Sequence, residues 1–161
     1  MQARDVMQKD VVSVRPQMSL SELEEVLLRH RIQGAPVVDG ERVVGIVSRS
    51  DVVRQLQLEE SRLAEISAVT LEPFDAEERV ETDRAQLSEA MAARLQALTV
   101  ADVMIPEFVS VPPSASLAQL AREMRERRIH RVLVMEEGRL VGLVSSLDVI
   151  GMVADERLVP A

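Results

Sequence analysis

The sequence contains no cysteine, tryptophan or tyrosine, and only two phenylalanines among 161 residues. Without cysteine there can be no disulfide, thiolate metal site or cysteine nucleophile, which fits a reducing compartment. With two histidines and no cysteine, the chain lacks the parts of a catalytic triad or a zinc cluster, so an enzyme is not expected. Basic residues are outnumbered, 19 against 27, for a formal net charge of −8. A nucleic-acid binder would show a basic face, often with stacking aromatics, and neither is present. No apolar run approaches the roughly 20 residues that span a bilayer, and the N-terminal MQARDVMQKD lacks the apolar core of a signal peptide. The chain therefore reads as soluble and cytoplasmic. Hydrophobic residues make up 47% of it, so a core can be buried, built from Val, Leu, Ile, Met and Ala.

An internal repeat organises the chain. Asp5-Val6-Met7 recurs as Asp102-Val103-Met104, an offset of 102 − 5 = 97. At that offset 20 of the 51 positions from Ala3 to Val53 are identical to their partners, far more than chance gives. Each copy carries Ser-Leu-x-Glu/Gln, at Ser19–Glu22 and Ser116–Gln119, the signature of a capped helix start. Leu20, Leu23 and Leu27, and likewise Leu117, Leu120 and Met124, then recur at helical spacing. Two β-branched runs follow, Ala35–Val38 and Val43–Val47, separated by the hairpin signal Asp39-Gly40. The second copy has Val132–Met135 and Leu140–Val144 around Glu-Glu-Gly. A further helix begins after Ser48 and after Ser145. Each unit thus reads as strand–helix–strand–strand–helix, too small to be stable alone, so two copies are expected to stack and share a core.

The repeats span 1–55 and 99–155, with an insert at 56–98 and a tail at 156–161. The insert holds 10 acidic and 4 basic residues, leaving the repeats near neutral. Its first half is expected to extend the helix starting near Asp51. Leu87, Met91, Leu95 and Leu98 form one apolar stripe, predicting an amphipathic helix, with a loop at Leu71–Phe74. The acidity reads as a solvated helical face, with a basic partner as the other reading.

Pro36-Val-Val-Asp39, five residues, then Gly45-Ile-Val-Ser-x-x-Asp51 resembles a CBS motif, and so does Leu133 to Asp148. Paired CBS motifs form Bateman modules, best known from the regulatory gamma subunit of AMP-activated protein kinase. The resemblance implies an α+β fold of two β-α-β-β-α motifs stacked with pseudo-twofold symmetry, the helical insert being an addition to the common pattern. It also implies a non-catalytic module without a resident cofactor. Such a module binds an adenosine-type nucleotide (AMP, ADP, ATP or S-adenosylmethionine) in the cleft between motifs, often as a homodimer acting on an effector protein. The rival reading is a dimerisation or interaction module that binds no nucleotide.

Asp51 and Asp148 are the first candidates. A carboxylate at a helix start can accept hydrogen bonds from ribose hydroxyls. Ser48-x-x-Asp51 and Ser145-x-x-Asp148 are equally capping boxes, and both roles can coexist. The resemblance makes the acids ribose ligands and places Ser48 and Ser145 near phosphate, with Ser13 and Ser110 at the adenine edge. It also makes His130-Arg131 a phosphate-contacting pair, beside Val132, reaching the nucleotide whose ribose Asp51 holds. In the first repeat Gln33-Gly34 stand there, beside Ala35. Arg suits the task because its planar fork grips phosphate bidentately, whereas a solvated basic turn is the alternative. Arg49 could also reach phosphate. Gly40 and Gly45 have P-loop spacing, but Ile46-Val47 replaces the required Lys and hydroxyl residue.

Overall fold

The capping boxes at Ser19–Glu22 and Ser145–Asp148 close in both directions, whereas those at Ser116–Gln119 and Ser48–Asp51 form in part. A computed structural model of the chain describes residues 1–70, 89, 93 and 96–155. Helix α1 covers Ala3–Val6, α2 Leu20–Arg29 and α3 Arg49–Thr70. Strands β1 (Gly34–Asp39) and β2 (Arg42–Ser48) form a two-stranded sheet. The second copy gives α4 (Val100–Val103), β3 (Ser110–Val111), α5 (Leu117–Arg127), β4 (Arg131–Glu136), β5 (Arg139–Ser145) and α6 (Ser146–Ala154). In the three-stranded sheet β3–β4–β5, β3 runs parallel to β4 and β4 antiparallel to β5.

Ser19 Oγ accepts the Glu22 N–H at 3.2 Å, while Glu22 Oε2 accepts the Ser19 N–H at 2.8 Å. The Ser19 N–H, and then its hydroxyl, hold the Glu22 carboxyl below the ordinary value of 4.5. Ser116 Oγ accepts the Gln119 N–H at 3.2 Å, without a bond in return. The apolar stripes point inward, since Leu23, Leu27 and Leu120 are fully buried. Both hairpin signals make tight turns. Gly40 has φ of 61°, and the two-residue loop Glu137-Gly138 has φ of 50° and 79°, the positive values that a primed turn needs.

Two expectations change. The first strand of repeat one shrinks to a single bridging residue, Val14, whereas its counterpart β3 pairs Ser110 with Leu133 and Val111 with Val134. The short helices α1 and α4 were not foreseen. Each is fixed by an acid three residues after its cap: Asp5 Oδ2 accepts the Gln2 N–H and Asp102 Oδ2 the Thr99 N–H, both at 2.7 Å. The helix from Ser48 does extend into the insert, as far as Thr70. Leu98, the last residue of the apolar stripe, is buried. Leu87, Met91, Leu95, the loop at 71–74 and the tail lie outside the described residues.

By contacts the chain divides into two compact units that cross the repeat boundaries. One contains Met1–Ser13, Pro36–Ile46 and Pro106–Ala161; the other contains Val14–Ala35 and Val47–Ile105. Within the first, α1 joins the second repeat: the Ala3 N–H donates to the Ala115 carbonyl at 2.8 Å and the Arg4 N–H to the Pro113 carbonyl at 3.0 Å. Ala3 and Val6 share a core with Leu120, Val132, Val134 and Val144. Within the second unit, α4 joins the first repeat in the same way. The Val100 N–H donates to the Met18 carbonyl at 2.8 Å and the Ala101 N–H to the Pro16 carbonyl at 2.9 Å. These bonds match at the offset of 97. Each copy's lead-in segment therefore completes the other copy's core.

Candidate nucleotide site

The strand–helix junctions after β2 and β5 are the chemically distinctive places, because each aims a carboxylate at a helix N-terminus. At the first, Asp51 Oδ2 accepts the Ser48 N–H at 2.8 Å and the Ser48 hydroxyl at 2.6 Å. Asp51 is only 5% exposed, and its Oδ1 lies 3.3 Å from Nη1 of Arg54 on the next turn of α3. At the second, Asp148 Oδ2 accepts the Ser145 N–H at 2.7 Å and the Ser145 hydroxyl at 2.6 Å. The Asp148 N–H donates back to Ser145 Oγ at 3.2 Å, which closes the capping box. Asp148 is half-buried, and its second partner is Gln8, whose Nε2 donates to Oδ1 at 3.0 Å and to Oδ2 at 3.3 Å. The structural role of both acids is thus realised, with one oxygen of each holding the helix start and the other holding a neighbour.

The remaining candidates fall around these junctions unequally. The Ser146 N–H donates to the His130 carbonyl at 2.9 Å, and Arg131 faces Ser145 in the β4–β5 ladder. The backbone of the His130-Arg131 pair thus lies beside the second junction. His130 is exposed and Arg131 half-buried, and neither forms an ion pair among the described residues. His130 and Ser146 line a cavity of about 460 Å³ together with Arg125, Arg128, Met124 and Ile150. At the first junction the Arg49 N–H donates to the Gln33 carbonyl at 3.1 Å. The Arg49 guanidinium is already engaged, its Nη2 lying 3.1 Å from Glu24 Oε1, while its buried Nε has no partner among the described residues. An anion approaching Arg49 would have to compete with Glu24. Ser13 and Ser110 are exposed, whereas Ala35 and Val132 are buried in the core.

Gln8 and Arg54 were not singled out from the sequence. Arg54 had a signal, since it stands three residues after Asp51 on the same helix. Gln8 had none, because it meets its partner across 140 residues. Among the described residues no group of three or more His, Asp or Glu could hold a metal, and no helix is long and apolar enough to cross a membrane.

Comparison with known proteins places this arrangement. The family model of the CBS domain matches residues 3–58 and 100–155. The chain is 23% identical over 154 residues to the uncharacterised protein MJ1225 of Methanocaldococcus jannaschii, covering 95% of this chain and 43% of that one. The chain thus spans less than half the length of this curated relative. Among solved structures, the CBS domain of a CBS-domain-containing membrane protein from Sphaerobacter thermophilus is 29% identical. It superposes with a TM-score of 0.66, covering 94% of this chain and 86% of that one. CBSX2 in complex with AMP is 21% identical, with a TM-score of 0.68, and covers 97% and 98% of the two chains.

Proposed function

The chain belongs to the CBS-domain family, and from that premise we propose that it is a non-catalytic regulatory module that binds an adenosine-type nucleotide. The observation that carries this reading is the twin Ser-Asp junction. In each, the serine holds one carboxylate oxygen at the positive end of a helix, and the other faces a partner that a ligand hydroxyl would join or displace, Arg54 at Asp51 and Gln8 at Asp148. Asp51 and Asp148 serve as ribose acceptors, Ser48 and Ser145 lie near phosphate, and Ser13 and Ser110 lie toward the base. Arg49 supplies positive charge at the first junction, and His130 and Arg131 supply it at the second. The complex of CBSX2 with AMP supports the ligand class. Binding favours one conformation of the module, and an effector protein reads that shift.

Thermal unfolding in the presence of adenosine, AMP, ADP, ATP, S-adenosylmethionine, NAD and cyclic di-AMP tests the proposal. At ten times the dissociation constant, a ligand specific for the folded state contributes about 1.4 kcal/mol. For a chain of this size the melting point should rise by roughly 3–6 °C. If no adenine compound moves it at millimolar concentration, the nucleotide reading fails.

A second reading, self-association, rests on its own observation. Leu147, Ile150 and Val153 on α6 are 75%, 58% and 60% exposed, an apolar face on a helix with no fully buried residue. A homodimer covering this face is expected. Light scattering at micromolar concentration should give twice the chain mass, and Ile150→Glu should return it to the monomer. A monomeric wild-type chain would count against it.

A further inference from the structure

Asp148 carries more hydrogen bonds than its cap requires. A carboxylate offers about four lone-pair positions. Two, on Oδ2, are taken by the Ser145 N–H at 2.7 Å and the Ser145 hydroxyl at 2.6 Å. A third, on Oδ1, takes the Gln8 amide at 3.0 Å, which also leans on Oδ2 at 3.3 Å. The orientation of that amide follows from chemistry: an ionised carboxylate only accepts, so Gln8 must present its NH₂ and not its carbonyl. One acceptor position is then left on Oδ1. The NH₂ of Gln8 has a second hydrogen beside it.

A ribose offers two neighbouring hydroxyls. If both are to donate to Asp148, one of them must displace Gln8. A single hydroxyl fits without displacement, since it can donate to the free position on Oδ1 and accept from the second amide hydrogen of Gln8. The main chain holds Gln8 for this: its N–H donates to the Leu143 carbonyl at 2.9 Å, and its carbonyl accepts the Leu143 N–H at 3.0 Å. The side chain is exposed and its removal leaves those bonds intact, so changing it does not threaten the fold.

We propose that Gln8 determines specificity at the Asp148 junction, making it a reader of one ribose hydroxyl and not of the diol. This rests on the nucleotide-binding reading above and deepens it, because it states which part of the sugar the junction recognises. The site then accepts one of the two monodeoxy nucleosides almost as readily as the ribonucleoside. Position 8 is the control point: its counterpart at the offset of 97 is Ile105, which has no amide, and Asp51 is met by Arg54 instead.

The test is calorimetric titration of the full chain with adenosine, 2′-deoxyadenosine and 3′-deoxyadenosine. The binding phase that Asp148→Ala removes is assigned to this junction. In the wild type, one of the deoxy isomers should bind that phase within about threefold of adenosine, the scale of a weak neutral hydrogen bond. In Gln8→Ala, with the amide gone, both hydroxyls can donate. Adenosine should then tighten several-fold, since the second bond to the charged carboxylate outweighs the one lost from the amide, while neither deoxy isomer tightens. Gln8→Leu, which keeps bulk but cannot donate, should behave like Gln8→Ala. The proposal is overturned if both deoxy isomers bind the wild type tenfold or more weakly than adenosine, or if Gln8→Ala leaves the ratios unchanged. If Asp148→Ala removes no phase at all, the nucleotide reading of this junction falls first and takes the proposal with it.

Discussion

Gly34→Arg is expected to lower the unfolding free energy by about 1–3 kcal/mol, the cost of overpacking a filled position. At the offset of 97, position 34 corresponds to Arg131, so the substitution gives the first repeat the residue of the second. The spaces are not equivalent. A Cβ at Gly34 would lie 2.7 Å from the Val47 carbonyl oxygen, with the Cβ and Cα of Ser48 at 3.0 and 3.1 Å. Two of these three atoms are backbone, so no side-chain rotation relieves the crowding. The site is also buried, so an arginine there would lose hydration. Gly34→Ala should show much of the same loss, because the first added carbon already collides. Arg131→Gly, in a half-buried ladder position, should cost less, about 0.5–1 kcal/mol for glycine in a strand. Urea unfolding of the three variants gives the comparison. Equal midpoints for Gly34→Arg and wild type would show that the β1–β2 junction has room, and that the missing basic pair in repeat one has another cause.

That case marks where the sequence can be read and where it cannot. Ser19, Ser116, Ser48 and Ser145 announce their helices because a cap and the acid or amide three residues on are local partners. Gly40 and Gly138 announce their turns because only a tight loop demands positive φ in those places. Leu23, Leu27 and Leu120 are buried as their spacing requires. The exchange of lead-in segments was hidden, because two similar lead-ins at an offset of 97, both carrying Asp-Val-Met, are plausible partners for either core. Contacts such as the bonds Ala3–Ala115 and Val100–Met18 decide between them. Met7 and Gly142 recur in the sequence for a reason that periodicity does not reveal: a Cβ on Gly142 would sit 2.5 Å from the Met7 sulfur, so the lead-in lies directly on that glycine. The site divides the same way. Its two acids and two serines were legible from spacing, whereas the glutamate that holds Arg49 and the amide that holds Asp148 come from distant turns of the chain.

Asp51→Ala is expected to be the most informative substitution, because it acts on stability and binding at once. For stability, the carboxylate accepts the Ser48 N–H and hydroxyl while almost fully buried, so its loss leaves two donors without their acceptor. Losing an N-terminal cap costs about 1 kcal/mol, and an unsatisfied buried donor about 1–3 kcal/mol. A total near 2 kcal/mol should lower the melting point by roughly 4–8 °C. The Arg54 contact adds little to this, since that guanidinium is 61% exposed and its pairing is screened by solvent. Asp148→Ala should cost less, because Asp148 is half-buried and water can replace the oxygen that Ser145 loses. For binding, the same deletion removes the proposed ribose acceptor. A hydrogen bond to a charged group contributes roughly 1.5–3 kcal/mol, so nucleotide affinity should fall by about ten- to a hundredfold. We expect the tighter phase of an AMP or ATP titration to be the one lost. Asp51→Asn separates the two effects, since its amide oxygen can still accept from Ser48 and preserve most of the cap, whereas the charge that favours a hydroxyl donor is gone. Far-UV circular dichroism with calorimetry below the melting point keeps binding loss distinct from unfolding. Should Asp51→Asn bind AMP and ATP as the wild type does, Asp51 is a cap alone.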